Sequence, residues 1–472
     1  MRKKLISITF VLALCCAMFF TSNVVKAETS QERLCGNNRY ETNSKIVEKG
    51  WSESKYAVIA SGQGFADALC ASPLAKQYKA PILLTNKNTL NKESKEQLSR
   101  LKVKKVFIIG ATGVIDNSVK REIEKMGIET KRIYGKDRFE TSIEVAKNLK
   151  NLKGVVVTNA YGFADALSIA PVAAQREMAI LFTKKNELPK VNKDFLSNKT
   201  FTENYVVGST GVVSDKVASK LNNSVRLGGK NRYSTNSKIL NYFSDKFNYG
   251  KVYVASGKDY PDALCGSALA SLTKSPLILV GDSVDESVMS SVKANHNKYK
   301  DVIALGGTFV VSDIAYNSIS EGIRYLNDSE ALKLIYNANK LAYPVVETNG
   351  TMPSMHIGDK YYEKFEDKFN SKEKLFSYLN KYYTKSAINR FMSILEVKKI
   401  NGQYCKKVGQ LGDYNPDILN AKIINKSISK NKVDLVMKIR DSSEECSMRY
   451  KARLIYEDGK WRVDFWDGLM DI

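Results

Sequence analysis

The sequence is poor in histidine and proline, and each shortage excludes a class of protein. The chain has only two histidines, His296 and His356, among 472 residues. They form no His-x-x-x-His pair of the kind that binds catalytic zinc, and they argue against a Ser-His hydrolase. Nine prolines are too few for a proline-rich stalk. We therefore expect no metal site and no cofactor.

Cysteine is also scarce. Five of the seven cysteines follow residue 27, and these are Cys35, Cys70, Cys265, Cys405 and Cys446. An odd number without any Cys-x-x-Cys pair excludes a disulfide framework and a paired-cysteine metal or redox site. Cys405 and Cys446 share the C-terminal segment, so a bridge between them and two buried thiols both stay open.

Long apolar runs are absent except at the N-terminus. Basic residues at positions 2–4 precede an apolar stretch from Leu5 to Phe20, and small residues follow at positions 25 and 27. This pattern predicts a signal peptide over residues 1–27, cleaved after Ala27, and a secreted protein. An uncleaved anchor is the alternative, although the stretch is shorter than the ~20 residues of a membrane span. No later segment is apolar enough to span a membrane.

What the chain has in quantity is hydrophobic and basic residues. Hydrophobic residues make up 43% of the chain and aromatic residues 10%, which excludes wholesale disorder. The length corresponds to about three domains of ~150 residues. The net charge is +23, of which residues 28–327 contribute +14 and residues 328–472 contribute +5.

Three short motifs occur three times in the same order, which reveals an internal repeat. The first motif contains an Arg-aromatic pair at Arg39-Tyr40, Arg138-Phe139 and Arg232-Tyr233. The second contains an aspartate, at Asp67, Asp165 and Asp262. The third is a glycine motif that begins at Gly110, Gly208 and Gly306. Offsets of 99 and 94 residues far exceed the 20–50 residues of solenoid repeats, so each copy is a small domain.

Each copy alternates short apolar runs with helical patterns. Runs such as Val155-Val-Val-Thr158 are rich in β-branched residues and bounded by glycine, which is typical of buried parallel strands. The alternation predicts an α/β fold with three tandem, small, parallel-sheet repeats of the Rossmann or Toprim-like type, joined by right-handed crossovers.

The three motifs resemble those of the clostridial cell wall binding repeat 2 family over about residues 32–327. Phe139 and Tyr260-Pro261 depart from the usual motif. The resemblance implies that the repeats pack as a pseudo-threefold trimer and bind an anionic, teichoic-acid-like wall polysaccharide without a covalent link. We assign the repeats to residues 28–130, 131–224 and 225–327. Whether they pack within one chain or between chains is left open by the sequence.

Two sets of repeated residues are candidates for polymer binding. Arg39, Arg138 and Arg232 carry permanently charged, forked donors that suit phosphate or carboxylate. Gly110, Gly208 and Gly306 follow predicted strands, where free backbone N–H groups can bind anions. Internal ion pairs for the arginines and tight turns for the glycines are the alternatives.

Asp67, Asp165 and Asp262 are predicted to be structural helix caps. Each stands where a helix begins, and a carboxylate there accepts hydrogen bonds from backbone N–H groups. A carboxylate would also repel an anionic polymer. Hydrogen bonding to sugar hydroxyls is the alternative.

The basic charge suits a phosphorylated polymer outside the cell. Nucleic acid is excluded as a partner by the predicted export. No phosphate-binding glycine loop stands between a strand and a helix, so nucleotide binding is not expected.

The glycine motifs end near Asn327, and residues 328–472 differ in pattern. Helical patterns come first, with Asn370 and Glu373 suggesting a capping box and Thr384 a second cap. Alternating strand patterns follow, and Asp458-Gly459 is a strong hairpin-turn signal. This order predicts an α+β domain of the cystatin-like or NTF2-like kind.

Residues from about 355 to 472 resemble the IseA-type inhibitors of peptidoglycan DL-endopeptidases. The segment Phe369-Asn-Ser-Lys-Glu-Lys-Leu375 and the closing Gly459-Lys-Trp-Arg-Val463 carry this similarity. The resemblance implies that the domain blocks the cleft of an NlpC/P60-type cysteine hydrolase. We therefore predict a wall-anchored, non-enzymatic protein that inhibits or modulates such an autolysin.

Two other functions stay open. A surface adhesin or S-layer-associated display protein is the first alternative. A wall hydrolase is the second, because Cys405 and His356 share the last domain, and because a glycosidase needs only two carboxylates. Its acidic candidates are Asp413, Asp417 and Glu444.

Overall fold

The computed structural model describes residues 29–347, 354–408, 416–440 and 447–470. The predicted signal peptide, Asp413, Glu444 and Cys446 lie outside the described residues. The chain forms two compact units. The first unit contains the described residues through Gly281 together with Asp285–Val311, and the second contains Asp282–Val284 and the chain from Ser312 onward.

Three four-stranded parallel sheets form the first unit. The twelve strands are β1 (Ser30–Leu34), β2 (Tyr56–Ser61), β3 (Ile82–Thr85), β4 (Lys105–Ile109), β5 (Glu129–Ile133), β6 (Gly154–Asn159), β7 (Met178–Thr183), β8 (Glu203–Val207), β9 (Val225–Leu227), β10 (Lys251–Ser256), β11 (Leu277–Val280) and β12 (Asp301–Leu305). The strand orders are β3-β2-β4-β5, β7-β6-β8-β9 and β11-β10-β12-β1. The predicted α/β repeats are therefore confirmed.

Helices connect the strands as crossovers. They are α1 (Arg39–Gly50), α2 (Ser72–Gln77), α3 (Lys92–Arg100), α4 (Asn117–Lys125), α5 (Arg138–Lys147), α6 (Ala164–Gln175), α7 (Lys190–Ser197), α8 (Asp215–Ala218), α9 (Arg232–Tyr242), α10 (Pro261–Thr273) and α11 (Glu286–Asn295). Each Arg-aromatic pair opens a helix whose N-cap is Asn38, Asp137 or Asn231, and each cap side chain accepts backbone N–H bonds.

The strand before each Arg-aromatic pair belongs to the sheet of the preceding repeat. β5 pairs with β4 and β9 pairs with β8. β1 pairs with β12 of the third repeat, with Ser30 opposite Asp301 and Leu34 opposite Leu305. The three repeats thus close into a ring within one chain. The predicted starts at 131 and 225 fall at β5 and β9, so each repeat as assigned from the motifs shares an edge strand with the sheet of the repeat before it.

Three helices at the centre of the first unit, α2, α6 and α10, pack against one another. Nearly every residue of α6 and α10 is buried, and the faces in contact hold small residues. The hydroxyls of Ser72 and Ser267 meet at 2.5 Å between α2 and α10. Small side chains allow this close approach, which explains why these helices lack the one-sided apolar stripe of a surface helix.

The second unit combines helices with two antiparallel sheets. Its helices are α12 (Asp313–Glu321), α13 (Asp328–Val346), α14 (Lys372–Leu379), α15 (Lys385–Ile394) and α16 (Asp467–Met470). Its strands are β13 (Ser354–Ile357), β14 (Lys360–Lys364), β15 (Lys398–Ile400), β16 (Gln403–Lys407), β17 (Lys422–Ser429), β18 (Lys432–Arg440), β19 (Ser447–Glu457) and β20 (Lys460–Trp466). The sheet orders are β13-β14-β16-β15 and β17-β18-β19-β20.

The second unit begins at Ser312, earlier than the predicted boundary at 328. Ile314 and Ile323 pack against its core, which explains why α12 belongs to this unit. Asp458 and Gly459 join β19 to β20 with φ of 49° and 81°, as the hairpin signal predicts. Thr384 caps α15 as predicted. The capping-box prediction at Asn370 was wrong by one residue, because the side chain that accepts the N-terminal N–H of α14 is Ser371.

No helix among the described residues is long and apolar enough to cross a membrane.

Candidate functional site

The aspartate motifs of the three repeats meet on the threefold axis of the first unit. The aromatic side chains two residues before each aspartate are Phe65, Phe163 and Tyr260, and their ring centroids lie 5.6, 5.6 and 6.3 Å apart. Edge-to-face and tilted contacts of this kind stabilise aromatic clusters. The repeated motifs therefore converge on one place, as the pseudo-threefold prediction requires.

The three candidate arginines all bind backbone. Nη1 of Arg39, Arg138 and Arg232 donates to the carbonyl oxygen of Gly62, Ala160 and Gly257, at 2.5, 2.8 and 2.5 Å. Each acceptor is the residue directly after the middle strand of the same repeat, β2, β6 or β10. The arginine thus fixes the loop that leads into the aspartate motif.

Two of these arginines also reach the neighbouring repeat. The guanidinium of Arg39 lies 5.8 Å from the ring centroid of Tyr260, and that of Arg232 lies 5.3 Å from Phe163. Arg39 Nη2 is 3.7 Å from the Asp259 carboxylate. Arg138 instead lies 5.4 Å from the ring of Tyr161. The cation–π contacts of Arg39 and Arg232 join one repeat to the next.

The three aspartates are not helix caps, which corrects the sequence prediction. None makes a side-chain cap hydrogen bond. Asp165 and Asp262 lie in the first turn of α6 and α10, behind N-caps Phe163 and Tyr260. Asp67 holds the N-cap position of a short 3₁₀ turn, but its side chain does not bond to that turn. Each carboxylate instead faces a glycine of its own repeat. A Cβ atom at Gly110, Gly208 or Gly306 would lie 3.1, 2.8 or 2.6 Å from Oδ2 of Asp67, Asp165 or Asp262.

Burial changes the acidity of these carboxyls. It raises the pKa of Asp67 and Asp165 above the usual 3.8, while hydrogen bonds from Thr141 and Thr235 of the following repeat oppose the rise. It raises the pKa of Asp262 to about 7, and the nearby Asp259 charge adds to the rise while Arg39 opposes it. Desolvation of a carboxylate is the physical cause in all three.

The glycine motif also takes part in internal hydrogen bonds. Gly110, Gly208 and Gly306 have φ of 113°, 114° and 107°, a region that favours glycine. Their N–H groups donate to the last residue of the edge strand, Ile133, Leu227 or Leu34, each at 2.9 Å. These amides are not free, so the prediction that they cradle an anion was wrong.

Sequence reasoning missed a second arginine in the first motif. Arg33, Arg132 and Arg226 each use Nη1 to bridge two carbonyls of the preceding glycine loop. The acceptors are Gly306 and Val311, Gly110 and Ile115, and Gly208 and Val213, at 2.7 to 3.0 Å. The signal was present, since these arginines recur at the same offsets as Arg39, Arg138 and Arg232.

In the second unit, the candidate catalytic residues are separated. Cys405 is buried in β16, and burial raises the pKa of its thiol, whereas a nucleophilic cysteine has a lowered pKa. His356 is exposed on β13, where its ring contacts Tyr361 at 4.8 Å. Asp417 is exposed and accepts a hydrogen bond from Asn420. The described residues contain no group of three metal-ligating side chains.

A buried lysine is the most unusual charge of the second unit. Lys406 is only 4% exposed, and its Nζ donates to the carbonyls of Val345, Val346 and Glu347 at the C-terminus of α13. Glu363 lies 3.8 Å away. Burial lowers the pKa of Lys406 and raises that of Glu363. A cation at a helix C-terminus is favourable, so this group has a structural role.

Family models match both units. The cell wall binding domain 2 (CWB2) model matches residues 33–120, 132–218 and 226–316. The IseA DL-endopeptidase inhibitor model matches residues 322–468.

Two curated relatives come from Bacillus subtilis (strain 168). N-acetylmuramoyl-L-alanine amidase LytC is 33% identical over 298 residues, which is 63% of this chain and 59% of the relative. An amidase enhancer is 31% identical over 323 residues, which is 68% of this chain and 44% of the relative. The chain therefore spans about half the length of the curated relatives it matches.

Solved structures with the same fold come from Clostridium difficile. Cwp6 matches with a TM-score of 0.59 and 28% identity, covering 64% of this chain and 49% of Cwp6. Cwp8 matches with a TM-score of 0.58 and 30% identity, covering 63% of this chain and 52% of Cwp8.

These matches indicate a cell-wall or cell-surface location. The chain belongs to the cell wall binding domain 2 family, with three copies of that domain followed by an IseA DL-endopeptidase inhibitor domain.

Proposed function

We propose that this protein is secreted, binds an anionic, teichoic-acid-like wall polysaccharide through its three repeats, and uses its second unit to inhibit a peptidoglycan DL-endopeptidase of the NlpC/P60 type. The observation that carries the proposal is the presence, in one chain, of a closed ring of three wall-binding repeats and an endopeptidase-inhibitor domain. In this interpretation the protein has no catalytic activity of its own.

Charge supports the binding half of the proposal. Residues 28–327 carry a net charge of +14. Arg232 is exposed and Arg138 half-buried. Each uses Nη1 for a backbone carbonyl, and the rest of each guanidinium fork is a donor for phosphate or carboxylate. Repeated weak contacts on one polymer raise avidity without a strong single site.

The chemistry of the second unit supports the non-catalytic half. The thiol of Cys405 is buried with a raised pKa, and His356 is exposed on another strand. An inhibitor needs a stable surface that fits a cleft, and it needs no activated nucleophile. The LytC relative is an amidase, but the 298 matched residues correspond in length to the three repeats.

The test adds the chain from residue 28 onward to purified walls together with an NlpC/P60 endopeptidase and measures released peptides. We expect release to fall as the chain is added, and the chain to sediment with the walls. An Arg138→Gln/Arg232→Gln variant should sediment less, whereas Lys95→Gln/Lys220→Gln should match the native chain, because these two lysines are exposed and lie outside the motifs.

Other outcomes distinguish the alternatives. Peptide or sugar release without added enzyme would identify a wall hydrolase. Sedimentation without any effect on the endopeptidase would leave an anchored display protein or adhesin.

A further inference from the structure

A groove of about 530 Å³ lies between the first and second repeats, away from the repeated motifs. Its lining includes Tyr56, Tyr78, Lys76, Lys79 and Lys150. The rings of Tyr56 and Tyr78 lie 4.8 Å apart, and Tyr78 packs on Phe107 at 4.6 Å. The aromatic wall is therefore held in place by the core of the first sheet.

Two polar groups shape the groove. Gln77 binds the carbonyl of Asn148 at 3.0 Å and accepts the N–H of Lys150 at 2.6 Å, which fixes the loop of the second repeat against the first. Gln175 also lines the groove.

The groove is lined by lysines of the first and second repeats, and Lys274 of the third repeat lies near Lys76. Burial lowers the pKa of the half-buried Lys76, and the nearby charges of Lys274 and Lys79 lower it further. Lys150 Nζ lies 5.9 Å from the ring of Tyr78. Among the described residues no carboxylate forms an ion pair with these four lysines. The acidic lining residue Glu177 is paired with Lys153 at 2.6 Å.

The second repeat does not reproduce this site. Tyr56 and Tyr78 correspond to Gly154 and Arg176 in the second repeat. Arg176 is bound through two nitrogens to Glu203, and Lys79 corresponds to Glu177. The equivalent position in the second repeat therefore has neither the aromatic wall nor the unpaired charge.

We propose that this groove is a subsite for an anionic sugar unit of the wall polymer. The sugar ring packs on Tyr78, and its phosphate or carboxylate lies among Lys76, Lys79 and Lys150. Aromatic faces and cationic side chains are the groups that recognise such a unit. This assignment rests on the proposed binding of an anionic polymer, and it adds the location of one binding site and the residues that form it.

The test measures binding of the chain from residue 28 onward to three probes by calorimetry at low and high salt. The probes are a glycerol phosphate oligomer, a galacturonate oligomer and a neutral dextran oligomer. We expect one of the two anionic probes to bind and dextran not to bind, and the preferred anion identifies phosphate or uronate as the source. Lys79→Glu/Lys150→Glu should weaken binding at least tenfold, because both lysines are exposed and the change should leave the fold intact.

The control variant, Lys95→Glu/Lys220→Glu, has the same net charge and exposed positions outside the groove. It should bind the probe within twofold of the native chain. A second variant, Tyr78→Leu, should weaken binding of the oligomer and leave binding of inorganic phosphate unchanged, because only the sugar ring packs on the aromatic face.

If the charge variant and its control lose the same affinity for the anionic probe, the proposed subsite is wrong and the attraction is unspecific. The proposed subsite is also wrong if neither variant loses affinity, or if the native chain binds neither anionic probe. Sedimentation of the native chain with walls is measured in parallel. If the native chain sediments but the groove variants behave like it, the subsite fails and the proposed function stands; if the native chain does not sediment, the proposed function fails.

Discussion

The repeated and unrepeated positions of the first unit differ in what they do. Near the threefold axis, equivalent residues of the three repeats make internal contacts. Each arginine donates to a carbonyl and each aspartate faces a glycine of its own repeat, and the aromatic rings of the three repeats contact one another. In the outer groove, Tyr78 and Lys79 of the first repeat line an open cavity. The corresponding Arg176 and Glu177 of the second repeat are bound in ion pairs, although Glu177 lines the same cavity. Most positions of the recurring motifs in this chain therefore serve to hold the first unit together.

This comparison gives an order of expected effects. Changes at the axis should lower stability, because their partners are buried and internal. Changes in the groove should leave stability nearly intact and affect ligand binding. Variants at the axis and in the groove test this difference, and they are given from the largest expected change in stability to the smallest.

Removing β1 should have the largest effect. A chain that begins at residue 36 loses the pairing of β1 with β12, the Arg33 contacts to Gly306 and Val311, and the buried Leu34. The two Arg33 hydrogen bonds and the leucine alone correspond to a loss of about 4 kcal/mol, at ~1 kcal/mol per hydrogen bond and ~2 for the leucine, and the lost strand pairing adds to it. Urea unfolding followed by circular dichroism measures the loss against the chain from residue 28.

The truncated chain would also expose the edge of β12. An exposed strand edge pairs with other chains, so light scattering should show association at high concentration. A truncated chain that stays monomeric and equally stable would contradict ring closure.

Asp262→Asn should change the pH dependence of stability. The carboxyl has a pKa of about 7 in the folded protein and 3.8 as the ordinary value. Between these pH values the unfolded chain loses this proton while the folded chain keeps it, so stability falls as pH rises through the window. The full contribution is present below about pH 4 and lost above about pH 7, and it amounts to up to ~4 kcal/mol.

The asparagine variant has no proton to lose at this position. Its free energy of unfolding should therefore fall less than that of the native chain between about pH 4 and pH 7.5. Denaturant titrations of both proteins across this range give the comparison. Parallel curves would show that Asp262 ionises alike in the folded and unfolded states.

Gly306→Ala should destabilise the first unit by about 1–3 kcal/mol, the usual cost of a non-glycine residue in a strained backbone region. Gly306 has φ of 107°, and the added Cβ would lie 2.6 Å from the Asp262 carboxylate. Gly307→Ala is the matched control, since a Cβ there has no neighbour within 4 Å. Thermal unfolding of the two variants should separate them, and equal melting temperatures would count against the contact with Asp262.

The sequence predicted the architecture better than the site. Period and motif order were enough for three α/β repeats and an α+β domain, because buried parallel strands have a clear apolar pattern. They could not show that β1, β5 and β9 complete the preceding sheets, since strand pairing is a long-range property. Asp262 was interpreted as a cap because its position fits one, and only the folded ring brings Gly306 against it.

The groove could not be predicted from any local pattern in the sequence. Tyr56, Tyr78 and Lys150 are far apart in sequence and belong to no motif, so no local pattern indicates that they share a cavity. The repeats do contain a signal, namely the positions at which the first copy departs from the second. Tyr78 and Lys79 are two such positions, and a comparison of the copies for their differences rather than their similarities identifies both.

Lys79→Glu should have the smallest effect on stability and is the sharpest test of the division. Lys79 and Glu177 hold the same position in the first and second repeats, and both are left-handed, with φ of 51° and 57°. The swap therefore introduces no new backbone strain, and Lys79 is exposed. We expect the free energy of unfolding to stay within ~0.5 kcal/mol of the native value, as for most surface substitutions, while affinity for the anionic probe falls. If stability falls by several times that amount, Lys79 contributes to assembly, and the groove positions are not reserved for a ligand.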